Sequence, residues 1–244
     1  MPYRRLPNTD NARIKAMKRA HERGTDLPPF KLAFSQGMFQ KIKSELPSFE
    51  NTILTYREAI GLHAEKNKDY QVRLKKARLY ISHFIQVIDM AISRGELNSD
   101  IREYYGLSSD EKKLPSLTND EDIINWGKKL IDGERERKIK GMAPITNPTI
   151  AVVQLHFEKF IEAYNQQKSL KKRANNVHAE LEEMRQNVDS TIQQTWNEVE
   201  ETFKDLPENI RREKSSDYGV VYVYRKNELN DMRLFKTDQI EGIG

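Results

Sequence analysis

From Phe49 onward, a step alternating between four and three residues meets Ile53, Tyr56, Ile60, His63, Asn67, Tyr70, Leu74, Ala77, Ile81, Phe84, Ile88 and Ala91. That alternation is the heptad pattern, which gathers residues along one edge of an α-helix. Gly95 stands where the residue past a helix C-terminus belongs, so the spacing predicts one helix over about 48–94. At about 1.5 Å per residue it would run roughly 70 Å. Such a helix persists in water only by laying its stripe against something equally long.

The chain supplies that partner. Pro148 at the first helical position after Asn147 opens a second pattern through Val153, Phe157, Phe160 and Tyr164, then Ala174, Val177, Leu181, Met184 and Val188. It continues through Ile192 and Trp196 in steps of four before Val199, Phe203 and Leu206, a stutter that locally unwinds a supercoil. Pro207 ends it, giving a helix over about 148–206. The stretch "NQQKSLKKR" is nearly polar, as His63 and Asn67 are in the first stripe. The pattern leaves open whether each helix is continuous or folds back near His63 and Gln167. A short helix before a long one occurs twice, and "LKKAR" faintly echoes "LKKRA", too little to establish an internal repeat.

Shorter elements surround these rods. Asn8 or Thr9 is expected to cap an opening helix that carries Asp10 in its first turn, Ile14, Met17 and His21 on one face, and Gly24 beyond its end. Pro28 and Pro29 force an extended connection, and Pro47 is expected to interrupt or kink a helical piece over 35–45. A helix capped near Thr118 carries Ile123, Ile124, Leu130 and Ile131, after a loop-rich 96–117. "GVVYVYR" and "MRLFK" around "NELND" read as a small C-terminal hairpin. Its Tyr218, Val220, Tyr222 and Tyr224 are expected to cap the apolar end of the bundle rather than receive a partner's strand.

The expected organisation is therefore a basic N-terminal segment with a short helix (1–29), a helical bundle with two long helices (30–207) and a tail with the hairpin (208–244). The class is all-α, an elongated bundle or antiparallel coiled coil. With 244 residues, 32% charged, 11 Gly and 9 Pro, the chain lacks the punctuation that many short strands need.

Several chemistries are disfavoured. Cys is absent, which removes disulfides, thiolate metal sites and cysteine nucleophiles. No His among His21, His63, His83, His156 and His178 has a carboxylate three residues before it, the spacing a carboxylate-bridged di-iron site needs. His178 and Glu182 share a helical face, but in "NNVHAELEEM" this reads as a solvated surface. His63, on the seam beside Asn67, fits a register-setting role better than catalysis. No glycine cradle resembles GxxxxGK[ST] or GxGxxG, the glycines standing at helix ends as in "SRGE" and "WGKK". No cofactor, metal or catalytic residue is expected, and no apolar run approaches the roughly 20 residues that cross a bilayer. The expectation is a soluble, cytoplasmic, non-enzymatic protein.

Charge is concentrated at the start. Arg4, Arg5, Arg13, Lys15, Lys18, Arg19 and Arg23 face only Asp10 and Glu22 there, a local +5, which leaves the rest near −1 in a chain of net charge +4. These seven are the candidate polyanion-binding residues. Further basic clusters are Lys75, Lys76 and Arg78, and Lys171, Lys172 and Arg173, each interleaved with acids.

The opening "PYRRLPNTDNAR", with a basic helix, an "LPPF" break and long helices behind it, resembles a group of all-helical bacterial proteins without an assigned function. The resemblance is carried mainly by residues 2–13. It implies no activity, but it implies that the opening motif belongs to the domain, with Tyr3, Leu6 and Pro7 packed on the bundle. The leading function is an interaction or scaffold module that presents long helix faces to a protein partner or to a second copy of itself. The alternative is nucleic-acid binding through residues 4–23.

Overall fold

The structure, a computed structural model, describes residues 3–109 and 114–224. In chain order these form strand β1 (Tyr3–Arg4), helix α1 (Asp10–Asp26), a 3-10 turn (Pro29–Lys31), helix α2 (Gln36–Ser93), a 3-10 helix (Ser99–Tyr105), helix α3 (Asp120–Ile139), helix α4 (Ile150–Thr202), helix α5 (Glu208–Ser216) and strand β2 (Tyr222–Val223). The all-α class with two long helices is the one expected, and both long helices are continuous through their polar stretches.

Pro47 does not interrupt α2, which runs 58 residues with the proline inside. A proline there forfeits one backbone hydrogen bond and costs about 3 kcal/mol. Ile42, Leu46, Phe49 and Ile53 keep helical spacing across it and are all buried, while Pro47 itself faces solvent. Each buried apolar side chain contributes about 1.5–3 kcal/mol, so burial outweighs the lost bond. At the far end, Glu96 N donates to Ala91 O and Gly95 N to Ile92 O, both at 3.0 Å, with Gly95 at φ 76 as the expected stop.

Gly24, by contrast, does not end α1. The helix continues to Asp26, and Gly24 lies inside it against Phe39, whose ring a Cβ would approach to 2.2 Å. Gly127 is likewise mid-helix in α3, not at an end, where a Cβ would come within 2.3 Å of the Phe157 ring. Two further boundaries can be placed. Asn119, next to the expected Thr118, caps α3, its backbone N donating to the Asp122 carboxylate at 3.4 Å. α4 begins at Ile150, with Val152 N donating to Thr149 O at 3.0 Å, so Pro148 lies in the turn before it. α5 falls within residues expected to be tail.

The chain divides into two compact units, the first made of residues 1–58 and 175–244, the second of 59–174. In the first, α1, the start of α2 and the end of α4 enclose Met17, Ile42, Phe49, Val188, Ile192, Trp196 and Val199. The steps of four through Val188, Ile192 and Trp196 are buried as the stutter predicts. Tyr218 and Val220 complete this core, the capping role expected of them. In the second, Ile81, Phe84 and Ile88 of α2 meet Tyr105 of the second 3-10 helix, Ile123 and Leu130 of α3, and Val153 and Phe160 of α4.

β2 pairs antiparallel with β1, in the register Tyr3↔Val223 and Arg4↔Tyr222, extended by Arg5 N to Val221 O at 2.9 Å. Residues 232–236, the expected second strand, lie outside the described residues. The opening segment is thus held by its backbone. Tyr3 and Leu6 do not pack as expected, at 56% and 42% exposure.

The second unit encloses an ionic cluster. Tyr105 OH donates to Glu134 Oε2; Arg137 Nη1 reaches the same oxygen at 2.7 Å and the Tyr105 oxygen at 2.8 Å, and Ile145 N donates to Glu134 Oε1 at 2.9 Å. All three side chains are sealed from water, and burial followed by Glu134 pushes the Tyr105 phenol upward in pKa. Arg137→Met leaves the Glu134 carboxylate without its cation, so urea denaturation followed by circular dichroism is expected to show a loss of about 3–5 kcal/mol. A loss under about 1 kcal/mol would mean the cluster holds little.

Candidate interaction surfaces

α1 rests on the first unit through Ala16, Met17 and Ala20, and Thr9 caps it by accepting from Ala12 N at 3.2 Å. That packing decides where the seven basic candidates point. Arg13 forms a two-pronged contact with Asp189 of α4, Nε to Oδ1 at 2.7 Å and Nη2 to Oδ2 at 2.8 Å. Arg185 of α4 returns the same fork to Asp10, at 2.8 and 2.5 Å. Arg4 reaches Glu200 at 2.9 Å, Lys18 reaches Glu50 at 2.7 Å and Arg23 reaches Asp217 at 2.7 Å. Four of the seven cations therefore bind the protein's own carboxylates.

The other three, Arg5, Lys15 and Arg19, have no ion pair among the described residues. All three line a cleft of about 460 Å³. Lys15 and Arg19 stand one turn apart on α1, and Arg5 comes from the segment after β1. Its buried lining comes from Ala16, Trp196 and Val220. Gly219, at φ 90, lets the chain after α5 pass close to α1, since a Cβ there would lie 2.9 Å from Ala16 O. Glu200 accepts from Tyr222 OH at 2.6 Å as well as from Arg4, and burial with that carboxylate pushes the phenol pKa up to about 12.

In the second unit, α2 turns Leu74, Ala77, Ile81, Phe84 and Ile88 inward, and turns Val72, Leu79 and Met90 outward at 53%, 48% and 55% exposure. Val87 and Ile92 beside this row are partly buried by the core, whereas Leu79 is left bare. Lys68, Lys75 and Lys76 also stand exposed on this helix with no ion pair among the described residues.

The seam polar residues form one layer. Gln167 Nε2 lies 3.1 Å from His63 Nε2 and 3.0 Å from Asn67 Oδ1, which joins α4 to α2 in one register. His156 stacks on Tyr80 at 4.2 Å, and burial, then Lys76 and Lys159, lowers its pKa. His178 sits on an exposed face 3.7 Å from Glu182. Among the described residues no group of His, Asp and Glu is placed to hold a metal ion, and no helix is long and apolar enough to cross a membrane. The paired fate of Arg4 and Arg13 could not be read from sequence, because Asp189 and Glu200 lie far along the chain. The cleft depends on Gly219 and on the return of β2 to β1, which carry no motif.

No family model, curated protein or solved structure matches the chain.

The Arg185 fork, with Arg13 adding, holds the Asp10 carboxyl below the ordinary carboxylate range, against the opposing effect of burial. A carboxyl depressed in the folded state stabilises above its unfolded value and loses that contribution as pH falls through the folded one. Asp10→Asn is expected to cost about 1 kcal/mol at neutral pH, and the gap to wild type should close in acid. Urea titrations at both pH values check this; a gap that persists in acid would assign the effect to something other than charge.

Proposed function

We propose that the protein is a non-enzymatic interaction module whose second unit offers the outer face of α2 to an acidic, amphipathic helix of another protein. The observation that carries this reading is the row Val72, Leu79 and Met90. Steps of seven and eleven residues return to within about 20° of one line on an α-helix, so the three form a stripe of roughly 27 Å. A partner helix with matching apolar spacing would cover it. Lys68, Lys75 and Lys76 border the stripe without internal carboxylates, which supports a partner bearing acids. Two copies of this face packed with α2 parallel would bring lysines against lysines, which disfavours that mode of self-association.

Nucleic-acid binding through residues 4–23 is the second reading. Ion pairs already occupy Arg4, Arg13, Lys18 and Arg23, so few charges of the basic segment remain to neutralise a run of phosphates.

Immobilised wild-type protein is expected to retain a partner that both Leu79→Ser with Met90→Ser and Lys75→Glu with Lys76→Glu lose, since exposed substitutions leave folding intact. A retained set identical across all three overturns the proposal. Light scattering over about a tenfold concentration range should report a monomer; a concentration-dependent dimer abolished by the Ser pair would move the reading to self-association. Anisotropy with a labelled duplex is expected to show no binding at about 150 mM salt, and binding that weakens as salt rises would favour the nucleic-acid reading instead.

A further inference from the structure

We propose that the cleft of the first unit binds a small amphipathic anion, a carboxylate or phosphate head carrying a short apolar arm. The cleft holds about 460 Å³, within the range of small-molecule sites. Its two kinds of lining match the two ends of such a ligand.

The head is addressed by Arg5, Lys15 and Arg19. Every other cation of the opening segment meets a carboxylate within the fold, and these three do not among the described residues. They come from two separate stretches of chain to the same cleft. The single acid lining it, Asp217, is engaged by Arg23 at 2.7 Å, so it does not neutralise them. An arginine guanidinium offers forked donors to a carboxylate or phosphate, and a lysine adds a point charge. Three cations about one cleft of this size suit one anionic head, whereas a polyanion needs charges spread along its length.

The arm is addressed by Leu6 and Val221, apolar residues of the cleft lining that are 42% and 49% exposed, over a buried floor of Ala16, Trp196 and Val220. An apolar arm laid against them would displace water from carbon surface, a gain proportional to the area covered. An inorganic anion would meet the charges and leave that lining wet. A neutral apolar molecule would meet the lining and leave the cations unpaired.

The test uses the full chain with Trp126→Phe, which leaves Trp196 as the sole tryptophan of the two. It is titrated with octanoate, octyl phosphate, octanol and inorganic phosphate, with Trp196 emission and calorimetry as parallel readouts. The two amphipathic anions are expected to saturate, with octanol and inorganic phosphate each at least about tenfold weaker. Lys15→Gln with Arg19→Gln should weaken the anions about tenfold while leaving octanol unchanged and the thermal melt in place. Tighter octyl phosphate identifies a phosphate head, and tighter octanoate a carboxylate. Octanol binding as well as octanoate, anion affinity indifferent to the Gln pair, or no saturation by either readout would overturn the proposal.

Discussion

A helix of 58 residues exposes an apolar edge along its whole length, and water makes that edge intolerable unless another surface covers it. Within each unit the cover comes from α4, and the shorter helices fill what the two long ones leave open. This explains why α1 contributes small residues, Ala16 and Ala20, where it lies on the core of the first unit, and why α3 carries Gly127 and Gly133. At Gly133 a Cβ would come within 2.3 Å of Tyr104 O, so close approach of backbones substitutes for side-chain bulk. Pro47 is tolerated by the same logic, since the residues on either side of it have nowhere better to go than the core.

Charge then refines what burial begins. The forks between Arg13 and Asp189 and between Arg185 and Asp10 bind the two helices at matched heights, and they consume cations that would otherwise make α1 a polyanion surface. What remains is local rather than diffuse. The unpaired charges of the opening segment gather at one cleft of the first unit, and Lys68, Lys75 and Lys76 of α2 border an apolar stripe in the second.

Much of the fold was legible because periodicity and burial share a cause. Phe84 and Leu181, on opposite stripes, are both buried as the spacing required, and the weak seam positions His63 and Asn67 are satisfied by Gln167, itself in the polar stretch of α4. Ile60 departs from its stripe: Ala59 is buried in its place, since the choice between neighbours turns on what packs opposite them. Local rules failed where long-range packing set the outcome. Gly24 and Gly127 resembled stops because glycine usually ends helices, yet each makes room for a phenylalanine ring far off in sequence. α5 was missed because residues 208–216 bury little, leaving no apolar rhythm to read. The cleft was half legible: its cations were all in the candidate set, but only the tertiary pairing of their neighbours separates them from the rest.

The division of the chain has a temporal consequence. Residues 59–174 form one uninterrupted unit, whereas the other unit is assembled from stretches on both sides of it. As the polypeptide leaves the ribosome, the inserted unit has all its contacts available once α4 is half made. Met17, Ile42 and Phe49 must wait, their apolar surfaces uncovered, until Ile192, Trp196 and Val199 emerge. Closing so long a loop is entropically costly for an open chain, and the cost falls once residues 59–174 have folded and no longer count as free chain.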